Sequence, residues 1–522
     1  MKEGLNALGM VTHNTLSDEY PFENIHLHIE KWKKSFDLEF GGYSRAPKFM
    51  MPNNYQFLLR YAHQNQNAEL LEFVNLTLTK MGYGGIFDTI DGGFSRYSVD
   101  IKWHVPHFEK MLYDNGQLIS LYSDAYKLTQ NPLYKEIIEK SLDFVKKEWK
   151  TTEGGFFSAL DADSLNDQNH LEEGAFYVWK TPQLKTILKD DFDLFSQVFN
   201  INSFGLWEEE NYVLIQNQHL ETIAKLNQLT TVELENKKKI WVQLLYTERE
   251  KRSKPRLDDK CLTSWNAIML KGYVDAFKAL GNQDYLDTAL ENANFIIKKL
   301  WSNEGNLFHS YKNGKNSING YLEDYCFVIA AFIALYEVTF EEKWLLDAKQ
   351  LTDYTLEHFY DEQQAFFRFT SDKDEALISV HFETEDNVIP ASNSVMAKNL
   401  YQLSIYFDNS YYEKVAKQML TILLPNIDYP SAYSNWLDLA LTISEQNKEL
   451  AICGPNAKET NKISMGLYFP NVIIAGTEKP SHLPFLKDRF VEDKTLFYVC
   501  QNKTCQLPTE DFQEVINQLS LK

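Results

Sequence analysis

Basic side chains are scarce in this 522-residue chain: 52 Lys and Arg stand against 73 Asp and Glu, a formal net charge of −21. Nucleic acids and anionic membrane surfaces are recognised by clustered Lys and Arg, so this balance argues against both as partners. No apolar run approaches the roughly 18 residues that a membrane span needs. Cysteine is rare: the 5 residues, Cys261, Cys326, Cys453, Cys500 and Cys505, are scattered and make no disulfide framework. Cys500 and Cys505 stand too far apart for a redox C-x-x-C pair and lack a second pair for zinc, so neither metal nor cofactor is expected. Met1 to Thr15 has no basic stretch leading into an apolar run. No signal peptide is therefore expected, and a cytoplasmic location follows. The phosphate loop G-x-x-x-x-G-K-[ST] and the nucleophile elbow G-x-S-x-G are also missing.

What is plentiful is aromatic: 29 Tyr, 34 Phe and 10 Trp. They serve a large core, or a cavity that stacks flat ligands such as sugar rings. Several sit in a recurring turn. Gly41-Gly42-Tyr43, Gly92-Gly93-Phe94 and Gly154-Gly155-Phe156-Phe157 are followed by weaker echoes at Gly305-Asn306-Leu307-Phe308 and Ala365-Phe366-Phe367. The spacing holds two helices and a turn, the signature of a helical-hairpin repeat.

Helical periodicity lays out six outer–inner pairs: 23–36 with 53–64, 68–81 with 107–127, 132–149 with 261–280, 284–300 with 320–338, 342–359 with 392–406, and 410–424 with 430–443. The inner candidates are the more apolar; Cys326 to Leu335 is apolar all round, as in a helix enclosed by others. Six such pairs predict an all-α protein, an (α/α)6 toroid over 1–445, with function collected at the mouth where inner-helix N-termini converge. A long insertion at about 158–258 breaks the pattern and is expected as an elaborated loop with a short strand and small helices over the mouth. Residues 446–522 carry short apolar runs ending in turns, which predict a small α/β appendage.

The densest polar constellation is Trp103 to Asn115. With Pro106 in a first helical turn, His107, Glu109 and Tyr113 would share one helix entrance as acid or base, carboxylate and phenol. The corresponding position in other repeats is polar too: Arg45 to Phe49, Asp258 to Asn266, Tyr321 to Tyr325 and Glu383 to Ser394. Arg96, just past the second Gly-Gly pair, would join them. The expected catalytic residues are His107, Glu109, Glu323 and Glu385, the first two as a proton-transfer pair. The expected substrate-binding residues are Arg45, Arg96, Tyr113, Asp161, Asp163, Trp265 and Asn266, with Trp265 stacking on a ring and the arginines binding oxygens.

The stretches Gly42 to Phe49, Gly92 to Tyr97, Val105 to Asn115, Asp161-Ala162-Asp163-Ser164, Thr263 to Asn266, Leu322 to Tyr325 and Cys505 to Pro508 resemble the YyaL family of thioredoxin-domain-containing proteins, which includes spermatogenesis-associated protein 20. The chain departs from that family in lacking an N-terminal thioredoxin-like stretch with C-x-x-C, in Ser44-Arg45 where small residues are expected, and in Ala391 to Ser394, which lacks an expected glycine. The resemblance implies a six-hairpin glycosidase-like toroid related to N-acylglucosamine 2-epimerases. Two chemistries on a small-molecule substrate, a sugar, then stand open. Epimerisation or isomerisation at C2 would take His107 with His381 or His104. Hydrolysis would take two carboxylates from Glu109, Asp161, Asp163, Glu323 and Glu385. The alternative is a non-catalytic ligand- or partner-binding module associated with a thioredoxin-like domain.

Overall fold

The computed structural model describes residues 22–375, 379–444 and 447–520. The segment Met1 to Thr15 lies outside them. In chain order the helices are α1 (Phe22–Lys33), α2 (Pro52–Gln64), α3 (Ala68–Tyr83), α4 (Leu112–Thr129), α5 (Pro132–Glu148), α6 (Thr181–Leu188), α7 (Phe192–Phe199), α8 (Leu220–Leu226), α9 (Thr231–Arg249), α10 (Thr263–Leu280), α11 (Gln283–Phe295), α12 (Leu322–Thr339), α13 (Lys343–His358), α14 (Ser392–Phe407), α15 (Ser410–Leu423), α16 (Ser434–Ser444), α17 (Ala457–Met465) and α18 (Phe512–Ser520).

Six of these close a ring. α2 packs on α4, α4 on α10, α10 on α12, α12 on α14, α14 on α16, and α16 back on α2. α1, α3, α5, α11, α13 and α15 form the outer layer, each against the ring. This is an (α/α)6 toroid. The reason is visible in burial: α12 is buried around nearly its whole circumference, whereas α5 buries one stripe led by Ile137, Ile138, Leu142 and Val145.

The turn from inner to outer helix is tight and built alike. A left-handed residue, Gln130, Gly281 or Asp408, ends the inner helix, and the next residue, Asn131, Asn282 or Asn409, caps the outer one by accepting backbone N–H bonds. The return connections from outer to inner helix are long, and all of them gather at the inner-helix N-termini. That asymmetry makes one end of the ring a mouth.

The glycine turns are the start of those long connections. Their aromatic residues are clamped by asparagines of the inner helices through paired backbone bonds: Asn115 holds Phe94, Asn266 holds Phe156 and Asn393 holds Phe367. In the fourth repeat the Tyr325 hydroxyl instead accepts from the Leu307 N–H at 2.9 Å. Gly92 has φ +82°, and a Cβ there would lie 2.2 Å from the Lys140 carbonyl oxygen, so only glycine fits.

Two expectations need correction. Residues 107–111 are not helical. Pro106–His107 pairs antiparallel with Tyr97–Ser98, Lys110–Met111 pairs with Ala159–Leu160, and the helix starts only at Leu112. Strand pairing with Tyr97–Ser98 and with the distant Ala159–Leu160 overrides the local helical spacing. The insertion, in turn, is more than a loop. α6 to α9 enclose a core of their own around Trp179, Phe195, Phe199 and Trp241, beside α5, to which Lys238 reaches through Glu136. Its hairpin, Asp163–Leu165 with Leu171–Glu173, reaches the mouth through Glu173.

The other end of the ring is closed by a four-stranded sheet. Lys448–Cys453 lies between a parallel Val472–Thr477 and an antiparallel Leu496–Gln501, which carries Thr504–Cys505 on its edge. The Tyr406 hydroxyl donates to the Ile474 carbonyl and Asn461 to the Glu337 carbonyl, seating the sheet on the C-terminal ends of α14 and α12. Cys500 and Cys505, read from the sequence as neither a redox nor a zinc pair, are joined in a single disulfide. The hairpin between them sets the two residues directly opposite, which linear spacing does not reveal. Among the described residues, no helix is long and apolar enough to cross a membrane.

Candidate functional site

The mouth is assembled from two polar clusters with an aromatic pair between them. The first hangs on the strand pairing Tyr97↔His107. It brings Arg96 Nη1 to 3.0 Å from Glu109 Oε2, and His107 Nε2 to 3.8 Å from the same oxygen. His107 Nδ1 sits 2.7 Å from Glu173 Oε1 of the insertion hairpin. Arg96 also bonds the Tyr113 hydroxyl at the start of α4. Beside Tyr113 lies Asp114, 2% exposed and with Oδ2 unpartnered among the described residues. Burial raises its carboxyl well above the usual range, with Glu109 adding to the push and Arg96 opposing it.

Tyr113 meets Trp265 edge to face, with ring centroids 4.8 Å apart. Trp265 is in the first turn of α10, next to Ser264, and Ser264 opens the second cluster. Its backbone N–H donates to Asp324 Oδ1 at 2.9 Å, and its hydroxyl to Glu323 Oε1 at 3.4 Å. Asp324 Oδ2 takes His309 Nδ1 at 2.9 Å and the Tyr321 N–H. Glu383 accepts from the Ser392 N–H, and Asp386 from the Ala391 and Asn435 N–H groups. These acids therefore satisfy the free N–H groups at the starts of α10, α12, α14 and α16, where a helix dipole favours negative charge.

Glu323 has no such backbone partner in these bonds. Burial first, then the neighbouring charges of Asp324 and Glu383, push its carboxyl up to about 8, against the opposing pull of His309 and the Ser264 hydroxyl. It is protonated at neutral pH. His309 is held above its ordinary value: burial lowers it, but the Asp324 carboxylate outweighs that. Asp386 is raised by burial to about 6 in spite of its four donors.

Of the residues expected at the site, Arg96, His107, Glu109, Tyr113, Trp265 and Glu323 come together in this arc. The others do not join it. Arg45 is exposed on its loop. Asp161 pairs with Arg256 at 3.1 Å, and Asp163 is exposed on the hairpin opposite Glu173. Glu385 is exposed and accepts only from the Tyr433 hydroxyl. Asn266 is fully buried and committed to Phe156, Leu262 and Asn292, which leaves nothing for a ligand. His104 is buried against the Gly205 carbonyl, and His381 is exposed beside Phe369. Sequence reasoning missed Asp114, His309, Asp324, Glu383 and Asp386. For the four acids, the available signal was a carboxylate within the first turn of an inner helix, as at Asp114 and Asp324, or a few residues before one, as at Glu383 and Asp386.

His309, Glu323 and Asp324 each present one donor atom within 4.8 Å of the others and are the residues that could hold a cation. Two of the three are already bonded to each other.

Below the mouth, an axial cavity of about 380 Å³ runs down the ring from Asn53 and Gln117 to the C-terminal sheet. A strap crosses above it: Gln117 of α4 donates to the Val388 carbonyl, in the connection entering α14 on the opposite side of the ring. The cavity wall holds ion pairs, Lys271–Asp275 and Lys398–Asp438 at 2.6 Å each, Lys278–Glu337 at 2.7 Å, Lys127–Asp124 at 2.8 Å and Arg60–Asp438 at 2.9 Å.

No profile of a known protein family matches the chain. Among solved structures, it is similar to a family 76 glycoside hydrolase (mannosidase) of Bacteroides thetaiotaomicron, at 10% identity and a TM-score of 0.46, covering 81% of this chain and 98% of that one. It is also similar to a sugar epimerase from a ruminal bacterium, at 13% identity and a TM-score of 0.33, covering 78% and 99%. Among curated proteins, it is 30% identical to mouse spermatogenesis-associated protein 20 over 534 residues, 92% of this chain and 67% of the relative. With the human protein it is 31% identical over 529 residues, with the same coverage. A match of that depth along nearly the whole toroid places this chain in the spermatogenesis-associated protein 20 family.

Proposed function

We propose that the protein acts on a carbohydrate at the toroid mouth by proton transfer, with Glu323 as the general acid. The observation that carries this reading is the Glu323 carboxyl, held protonated up to about pH 8 at an inner-helix N-terminus. Acids tuned in this way are what proton donation near neutrality requires. Trp265 and Tyr113 offer an aromatic wall beside it, suited to the C–H face of a sugar ring. The complementary base comes from the Arg96–Glu109–His107 cluster on the far side of that wall, where the Arg96 guanidinium, bonded to Glu109 and Tyr113 and 40% exposed, can still offer a donor to a hydroxyl or carbonyl oxygen.

The test is NMR of the protein in D2O with a panel of reducing sugars, disaccharides and N-acylated sugars, beside Glu323→Gln. Deuterium at C2 would identify an epimerase or isomerase, and new anomeric signals a hydrolase. Either signal should fall by about 100-fold or more in the variant. Turnover that survives Glu323→Gln unchanged, or silence across the panel, overturns the assignment.

A further inference from the structure

We propose that the axial cavity beneath the mouth is a separate binding site for a small polyhydroxylated monoanion, a sugar acid bearing one carboxylate. This site is independent of the chemistry at Glu323 and stands whether or not that reading holds.

Three observations carry it. The first is size and enclosure. At about 380 Å³ the cavity lies within the range of small-molecule pockets, and its rim reaches the surface at Leu467, which is 37% exposed. The second is unspent hydrogen-bonding capacity. Asn53 is 5% exposed and lines the cavity, yet among the described residues neither Nδ2 nor Oδ1 has a partner. Arg60, 6% exposed, also lines it with Nη2 unpartnered. Buried amides and guanidinium nitrogens are nearly always bonded. One donor–acceptor amide together with a forked donor is what a carboxylate flanked by hydroxyls would satisfy.

The third is charge. The lining carries five basic side chains and four carboxylates, one positive charge in excess. The ammonium side chains of Lys271 and Lys398 remain 42% and 35% exposed although they stand inside the ring. Lys271 is ion-paired to Asp275, and Lys398 to Asp438 with a second bond to Asn435 Oδ1 at 3.0 Å; burial would raise both carboxyls, but Lys271 holds Asp275, and Arg60 with Lys398 holds Asp438, down at about 2. An enclosed wall with one unmatched positive charge favours a ligand of charge −1 over a neutral polyol or a dianion. Phe57 and Phe327 supply apolar faces for the carbon chain.

The experiment is calorimetric titration of the full chain with D-gluconate, D-glucuronate, D-sorbitol and D-glucose at fixed ionic strength. Sugar acids should bind about tenfold or more tightly than their neutral counterparts. Two variants test the location. Asn53→Leu removes the unspent amide from the cavity wall and loses no bond made within the protein. Lys398→Met removes the excess charge while Asp438 keeps Arg60 as its partner at 2.9 Å. Each should weaken gluconate binding by about tenfold while thermal unfolding stays cooperative. Because binding and not turnover is read, loss of activity in Glu323→Gln does not affect the result. Equal affinity for acids and neutral polyols, binding of neither, or full affinity in both variants overturns the proposal.

Discussion

Glu323 and its neighbour Asp324 are both carboxylic acids, but their oxygens meet different partners. Asp324 is spent on a helix start, a histidine and a backbone turn, whereas Glu323 meets burial and two like charges. The consequence is readable in two ways. As an acid it works while protonated, so the rate should fall as pH rises through about 8. As a stability term, its folded value lies above the unfolded value of 4.5, so the folded state binds the extra proton between 4.5 and about 8. That contribution is complete below 4.5 and lost as pH climbs to about 8, at up to about 1.4 kcal/mol per pH unit. Urea unfolding of wild type and Glu323→Gln across this window should show the variant gaining relative stability as pH rises; parallel profiles would refute it. Asn266 makes the opposite case, a fully buried polar residue whose role is wholly architectural. Asn266→Ala strands the Phe156 N–H and two buried carbonyls, and should cost about 2 to 4 kcal/mol in chemical denaturation.

At the scale of elements, several repeats are stitched by related parts. The glycine turn carries the aromatic, the inner helix clamps it, and in two repeats a buried lysine pins the loop. Lys48 binds Asp37 and the Gly41 carbonyl; Lys110 binds Asp88 and the Gly92 carbonyl. Arg249 from α9 adds a second cation to Asp88 at 2.9 Å, tying the insertion to the second turn. Gly92→Ala places a methyl group against backbone at a positive φ, so a loss of at least about 2 kcal/mol is expected, read as a lowered denaturant midpoint. Lys110→Met leaves Asp88 buried beside one cation instead of two, and should cost about 3 kcal/mol in the same assay. A variant of either kind with wild-type stability would mean the turns do not bear on the ring.

At the scale of the molecule, the ring has one open end and one covered end. Ala451, Cys453, Ile473 and Ala475 of the C-terminal sheet belong to the same continuous core as the toroid helices. Removing residues 448–520 should therefore expose that core and abolish cooperative unfolding, giving aggregation in size-exclusion chromatography. A soluble truncated toroid with a sharp melt would show that the sheet is an accessory.

The six-pair layout was legible from the sequence because inner and outer helices differ in how much of their circumference is apolar, and because Gly-Gly-aromatic turns recur. Arg96, His107, Glu109, Tyr113, Trp265 and Glu323 were legible as polar residues before inner helices. What the sequence could not show is which of them face one another. Residues 107–111 pair with strands at 97–98 and 159–160, so their helical spacing was accidental. Asn266 and Glu323 look equally available in the linear chain; one is consumed by a turn from a distant repeat, the other isolated among carboxylates. The axial cavity arises only when six helices close, bringing Asn53, Arg60, Lys271 and Lys398 from three of them onto one axis. Periodicity is a local property and is written along the chain, whereas burial, charge neighbours and cavities belong to the closed ring, and tertiary structure alone decided them.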